Sequence, residues 1–302
     1  MDLSRPRSLG AALAVAVLLT AGCAPADENP TAQPTKANPS DQPTSKASAG
    51  GDECAKDKLN LLEPGQLTIA TSQDVYEPWM VDNDPTNGKG FESAVAYAVA
   101  DELGFSEDEV EWVKEPFNKS YQPGAKDFDF DINQISITPE RAEVVDFSTG
   151  YYNAAQSLIV LKGSPYADVT SLADLKDAKL GAQVGTTSLK AIQDVIAPSQ
   201  QPLVFDDTNT AKAALENEQI DGLVVDLPTA FYIAAIEIPQ GVIVGQFQPG
   251  SGDAEQFGLL FEKGNPLVTC VNKALAELKE SGKLAAIERR WLSKVTDVPE
   301  LS

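Results

Sequence analysis

Ser136, Thr138 and Arg141 fall within the run Ser136-Ile137-Thr138-Pro139-Glu140-Arg141. Two hydroxyls beside a guanidinium fork suit the bidentate recognition of a carboxylate, which is a binding chemistry before it is a catalytic one. From Phe130 to Thr138, apolar residues at Phe130, Ile132, Ile135 and Ile137 predict a strand, and Pro139 suits the first turn of a helix after it. Arg141 would then lie where strand gives way to helix. The residues alone leave a plainer alternative open, in which Arg141 pairs on the surface with Glu140, Glu143 or Asp146.

Two further groups have matching chemistry. Thr186-Thr187-Ser188 precedes a helix predicted over Ser188 to Ile196, whose first N–H groups are free and carry partial positive charge toward an anion. The same triplet also reads as a helix cap and nothing more. Asp226 ends a strand predicted over Gly222 to Val225, at the carboxyl edge where open α/β sheets bind ligands. Its alternative is to cap a helix that begins at Pro228.

Composition narrows the chemistry. Histidine is absent, which excludes Ser-His-Asp and Cys-His catalysis and the usual histidine-bearing metal sites. No Asp-x-Asp-x-Asp-Gly loop is present either, so neither metal nor cofactor is expected. The net charge of −22 repels phosphate backbones and argues against nucleic acid as a partner.

The elements that position these residues follow from period and punctuation. Strands are predicted over Leu67 to Thr71, Val110 to Val113 and Gln156 to Leu161, with a helix from Phe91 to Leu103 closed by Gly104. A second series follows: a short helix from Leu172 to Lys176, strands over Lys179 to Gln183 and Leu203 to Phe205, and a helix from Asn209 to Asn217. Strands alternating with helices imply two α/β units with mostly parallel sheets. About 250 residues from Cys54 onward suffice for two cores.

At the N-terminus, Arg5 and Arg7 precede an apolar run from Leu9 to Leu19, too short to span a bilayer and of signal-peptide length. It ends in Leu19-Thr20-Ala21-Gly22-Cys23, which looks like a bacterial lipoprotein cleavage site with Cys23 as the acylated residue. Thr20 departs from the usual leucine. Residues 1–22 are read as this signal and 23–53 as a Pro-, Thr- and Ser-rich disordered tether. About 30 such residues span roughly 30 Å as a flexible coil. The expectation is export, with a lipid anchor on the outer face of the bacterial cytoplasmic membrane. Cys54 and Cys270 remain as an even pair in an oxidising compartment, which predicts a disulfide.

The opening motif continues into Asp146-Phe147-Ser148 and Tyr151-Tyr152, and Gly88-Lys89-Gly90-Phe91-Glu92, Ser171-Leu172-Ala173-Asp174-Leu175 and Gly185-Thr186-Thr187-Ser188 stand in order around it. From about Leu67 to Trp291 the chain resembles the extracellular solute-binding proteins of family 3, the polar amino-acid-binding proteins of ABC importers. The resemblance implies an α/β, two-lobed, periplasmic-binding-protein-like (Venus flytrap) fold with two crossover hinge strands. Lobe 1 would be 54–150 and 259–302, lobe 2 would be 156–252, and the hinges would be 151–155 and 253–258.

It further implies a monomeric binding protein, not an enzyme, that hands a free amino acid to an ABC permease and its ATPase. Arg141 and Thr187 would hold the ligand's carboxylate, and Asp226, aided by Ser136, its ammonium. Tyr76 and Phe117 would be walls, while Trp79 could be wall or core. Thr138, Thr186, Gln134, Gln183 and Gln73 complete the candidate set. Gln73 stands three residues before Tyr76, where relatives that take cationic side chains often place an aspartate. This favours a polar neutral or acidic ligand, although Asp74 and Glu77 are near enough to reverse it. Asn133-Gln134, in place of the usual small residues, and Ala94, in place of a second acid, depart from the family pattern. An exported dehydratase-type enzyme on the same fold, or a receptor for a membrane sensor, are the alternatives.

Overall fold

A computed structural model of the protein describes residues 53–250, 254–292 and 298–302. The expected signal segment, Cys23 and the tether as far as residue 52 lie outside the described residues. The chain runs through β1 (Leu67–Thr71), α1 (Phe91–Glu102), β2 (Val110–Lys114), α2 (Phe117–Ser120), β3 (Phe130–Asp131), α3 (Pro139–Ala142) and β4 (Val145–Phe147). It crosses by β5 (Tyr152–Ala154) into β6 (Gln156–Leu161), β7 (Leu180–Gln183), α4 (Thr187–Ala191), β8 (Leu203–Phe205), α5 (Thr208–Glu216), β9 (Gly222–Asp226), α6 (Leu227–Tyr232) and β10 (Gly241–Phe247). It returns by β11 (Glu255–Phe257) to β12 (Leu260–Glu262), α7 (Leu267–Glu280) and α8 (Lys283–Leu292).

Two five-stranded sheets result, ordered β2-β1-β3-β12-β4 and β10-β6-β9-β7-β8. Both are mixed, where mostly parallel sheets were expected. Within these two sheets, among the described residues, each antiparallel pairing is made by the strand that follows a crossing: β12 with β3 and β4, β6 with β10 and β9. A strand that enters a sheet straight from a crossing has no helical crossover to reverse its direction, so it runs against its neighbours. The crossings themselves, β5 and β11, pair antiparallel, Tyr152 opposite Phe257 and Ala154 opposite Glu255.

Burial explains the elements. All five residues of β1 are buried, the pattern of a strand covered on both faces. Trp79, Phe91, Phe130, Phe257 and Phe261 fill the first lobe's core against α1 and α7. Trp79 packs edge to face on Phe91 and Phe257, geometry favoured by the ring quadrupoles. Cys54 and Cys270 are joined, with Cα atoms 5.3 Å apart, and so tie the segment before β1 to α7. In the second lobe, Leu158, Val160, Leu180, Ile192 and Val224 form the core.

Two expectations are corrected. Phe130 to Thr138 is not one strand: β3 ends at Asp131, Gln134 turns the chain in the left-handed region at φ 47°, and Ser136 rejoins only as a single bridge to Phe257. Ile132 and Ile135 are both fully buried through that turn and not through a pleat. The tail 298–302, expected in lobe 1, lies on lobe 2. Leu301 N–H donates to the Gln246 carbonyl at 2.9 Å, Gln246 N–H to that of Pro299 at 2.8 Å, and the Leu301 side chain joins the second lobe's core. Gly245 makes this possible, since a Cβ there would come within 2.5 Å of Leu301 Cγ.

Candidate functional site

Arg141 owes its position to a cap. Thr138 precedes α3 and its Oγ1 accepts from Arg141 N–H at 3.2 Å, while Pro139 fills the first helical position, where no N–H is needed. The side chain is then drawn inward to 8% exposure, which removes the surface-pair alternative. Its Nη1 donates to the carbonyl of Ser136 at 2.8 Å and its Nη2 to that of Gly185, on the opposite lobe, at 2.9 Å. The guanidinium carbon lies 4.7 Å from the ring centre of Tyr121 and 5.5 Å from that of Phe117, within cation–π range. Burial acts against its charge, and the nearby carboxylates of Glu255 and Asp226 act for it.

The lobes meet at further points. Ser136 Oγ and Thr187 Oγ1 are 3.2 Å apart, and Trp79 Nε1 donates to Thr229 Oγ1 at 2.8 Å. Trp79 is therefore both core, at 1% exposure, and a contact between lobes. Gly185, at φ 74°, allows a close approach, because a Cβ there would lie 2.3 Å from Asn118 Oδ1 and from the Tyr121 hydroxyl.

Asp226 stands at the N-cap position of α6 but makes no capping bond. Its Oδ1 instead accepts from Gln156 Nε2 at 2.9 Å, and the same amide nitrogen donates to Glu255 Oε2 at 2.8 Å. Ser188 Oγ, donating to Gln156 Oε1 at 2.6 Å, fixes which way that amide points. Burial, and then the charge of Glu255, push the Asp226 carboxyl well above the ordinary aspartate range.

Between these groups lies a cavity of about 220 Å³, lined by Gln73, Tyr76, Phe117, Gln134, Ser136, Arg141, Gln183, Thr186, Thr187 and Asp226. That is below the roughly 300–1,000 Å³ of drug-sized sites and suits a small metabolite. Three further candidates there also have a hydrogen bond. Thr186 caps α4, accepting from Leu189 N–H at 3.1 Å. Gln183 Oε1 accepts from Thr208 Oγ1 at 2.8 Å. Gln134 donates its backbone N–H to Glu92 Oε1 at 2.7 Å and its amide to Glu92 Oε2. Glu92 also accepts from the Tyr151 hydroxyl, and burial nevertheless pushes its carboxyl up to about 7.

Thr138 is not in this cavity. Its hydroxyl serves α3, and it faces a second, more open cavity of about 570 Å³ shared with Glu140, Lys190 and Glu255. Sequence reasoning missed Gln156, Glu255 and Tyr121. The one available signal was Gln156 itself, an amide opening a strand that runs on into Leu158, Ile159, Val160 and Leu161. Among the described residues no group of three or more His, Cys, Asp or Glu could hold a metal ion.

Comparison with known proteins gives the family. Residues 67–294 match the model of the bacterial extracellular solute-binding proteins, family 3. The chain is 31% identical to the ABC transporter glutamine-binding protein GlnH of Bacillus subtilis, over 70% of this chain and 76% of the relative. It is 26% identical to the L-cystine-binding protein TcyJ of Escherichia coli K12, over 77% and 85%. Among solved structures, an ancestral arginine-binding protein bound to glutamine superposes with TM-score 0.64 at 30% identity, covering 76% of this chain and 99% of that one. ArtJ of Geobacillus stearothermophilus, an arginine-, lysine- and histidine-binding protein, superposes with TM-score 0.64 at 25% identity over 76% and 95%. The family match, over residues 67–294, spans both lobes and both crossings, and the chain belongs to the bacterial extracellular solute-binding proteins of family 3.

Proposed function

We propose that this protein captures one polar amino acid between its lobes and delivers it to an ABC permease. The observation that carries the reading is the placement of Arg141 and Asp226, from opposite lobes, on one small cavity. A guanidinium fork and a carboxylate complement the two charges of a zwitterion. Ser136 and Thr187 hydroxyls beside Arg141 supply further donors, and Tyr76 and Phe117 exclude water, which strengthens polar contacts. Because the two charge receptors belong to different lobes, ligand would favour the closed arrangement through its differential affinity for it.

The lining narrows the ligand class beyond the sequence reading. Arg141 is the one base among the described lining residues, while Asp74, Asp206 and Asp207 join Gln73 and Gln183 there. An acidic side chain would meet like charge at that end, so the reading favours an amide or a cationic side chain over glutamate or aspartate. In this reading Cys23 carries the lipid and the Pro- and Ser-rich segment after it holds the binding lobes off the membrane. Calorimetry of residues 53–302 against the twenty amino acids tests the function. Saturable binding of glutamine, arginine or a similar polar amino acid is expected. Binding of none, or of glutamate alone, would overturn the reading or its charge preference respectively.

A further inference from the structure

Glu255 is the second carboxylate that Gln156 joins to Asp226. It lies on the crossing strand β11, 9% exposed, and its Oε1 is buried with no hydrogen-bond partner. Its Oε2 and Asp226 Oδ1 accept from the same amide nitrogen, at 2.8 and 2.9 Å. That nitrogen cannot turn away, because Ser188 holds the other end of the amide at 2.6 Å. Two carboxylates thus converge on one neutral donor, and a neutral amide balances neither charge. Such a pair is favourable only with a cation or a proton beside it.

The other charges facing Asp226 do not supply that cation. Glu92 from α1 adds to the repulsion, and the phenols of Tyr76, Tyr151 and Tyr152 carry no positive charge. Among the described residues Arg141 from α3 is the cation acting on Asp226, and its two outer nitrogens already donate to carbonyls of Ser136 and Gly185. Lys190 shares the second cavity with Glu255, but its Nζ pairs with Asp194 at 2.5 Å.

We infer that Glu255 is a specificity-determining partner of Asp226: the Gln156-bridged pair exchanges a proton for the ligand's ammonium, so that binding releases a proton to solvent. The exchange balances. Asp226 gives up its proton to water, the ligand's ammonium keeps all of its own, and one positive charge beside the pair replaces another. The direction of the Asp226 shift agrees, since burial and the charge of Glu255 both favour a retained proton. Both crossings take part, Gln156 directly after β5 and Glu255 on β11, so filling this subsite also bears on the strands that bend.

The inference rests on Asp226 as the ammonium receptor, and the test separates the two. Titration calorimetry with L-glutamine and L-arginine, in buffers of different ionisation heat and across about pH 5 to 8, reads both affinity and protons released. Affinity of the wild type should fall about tenfold per pH unit once Asp226 is protonated, with proton release on binding. Glu255→Gln should move that fall to lower pH and reduce the release. The ¹³C carboxyl shift of Asp226 in protein without added amino acid should titrate at lower pH in the variant, a readout that needs no ligand. A variant weakened equally at every pH, with unchanged Asp226 titration, would overturn the inference and leave Glu255 a scaffold. Unchanged affinity in Asp226→Asn would instead overturn the reading of Asp226 itself.

Discussion

Arg141 of the first lobe donates Nη2 to the carbonyl oxygen of Gly185 in the second, at 2.9 Å, while its Nη1 holds the Ser136 carbonyl of its own lobe. One guanidinium therefore joins the lobes and borders the cavity at once. A ligand carboxylate arriving at Arg141 would compete with neutral carbonyls for the same fork, and the charged acceptor makes the stronger bond.

Arg141→Ala is expected to weaken amino-acid binding by about 2–5 kcal/mol, because it removes a charge-assisted pair and leaves a carboxylate poorly matched. Calorimetry reads this directly. Equal affinity in the variant, for every amino acid that the wild type binds, would remove Arg141 from the site.

Gly185→Ala should hold the lobes apart. The added methyl would lie 2.3 Å from Asn118 Oδ1 and the Tyr121 hydroxyl, and a left-handed backbone costs a non-glycine residue about 1–2 kcal/mol. Solution scattering should give a larger radius of gyration in saturating amino acid than for the wild type, with affinity reduced about tenfold. A variant that compacts as the wild type does would show that this approach does not limit closure.

Glu92 links stability to pH. Its carboxyl is raised from 4.5 to about 7, so its contribution to stability is fully present below the unfolded value and is lost as pH rises through about 7. The span corresponds to about 3 kcal/mol. Urea unfolding between about pH 4.5 and 7.5 should show stability falling with pH, and Glu92→Gln should flatten that fall. Parallel slopes in the two proteins would mean that Glu92 stays ionised.

Leu301→Ala tests the tail on the second lobe. Leu301 is 6% exposed against that lobe's core, so the truncation should cost about 2–4 kcal/mol, or less if the chain end relaxes. Gly245→Ala should act in the same direction, since its methyl would displace Leu301. If neither lowers the melting temperature, the tail contributes nothing to the lobe.

Breaking the Cys54–Cys270 link opens a loop with a sequence separation of 216, worth about 5 kcal/mol on the chain-entropy model. The double change Cys54→Ser and Cys270→Ser should lower the unfolding midpoint markedly while leaving affinity close to that of the wild type. An unchanged midpoint would argue that α7 holds the N-terminal segment by packing alone.

The elements with strong local signals were legible. Gln156–Leu161 leads into the apolar run Leu158 to Leu161, and Leu67–Thr71 is made of apolar and β-branched residues, and the structure has strands at those bounds. Phe130 to Thr138 was not legible, because alternation in composition cannot reveal that Glu92, 42 residues earlier in the chain, accepts the Gln134 N–H and turns the chain. The tail was misplaced for the same reason. Five residues carry no period, and only their register beside Gln246 assigns them to a lobe.

By itself the sequence determined which groups could meet a zwitterion, because residue type sets charge and hydrogen-bonding capacity: Arg141 for an anion, Asp226 for a cation, no histidine for catalysis. What each group does was left to tertiary structure. Asp226 could have capped α6, and its side chain turns to Gln156 instead. Thr138 could have faced the ligand, and its hydroxyl holds α3. Gln156 and Glu255, 99 positions apart, share an amide only because the two crossing strands lie side by side. Such choices depend on distances between segments remote in the chain, and neither periodicity nor propensity encodes those distances.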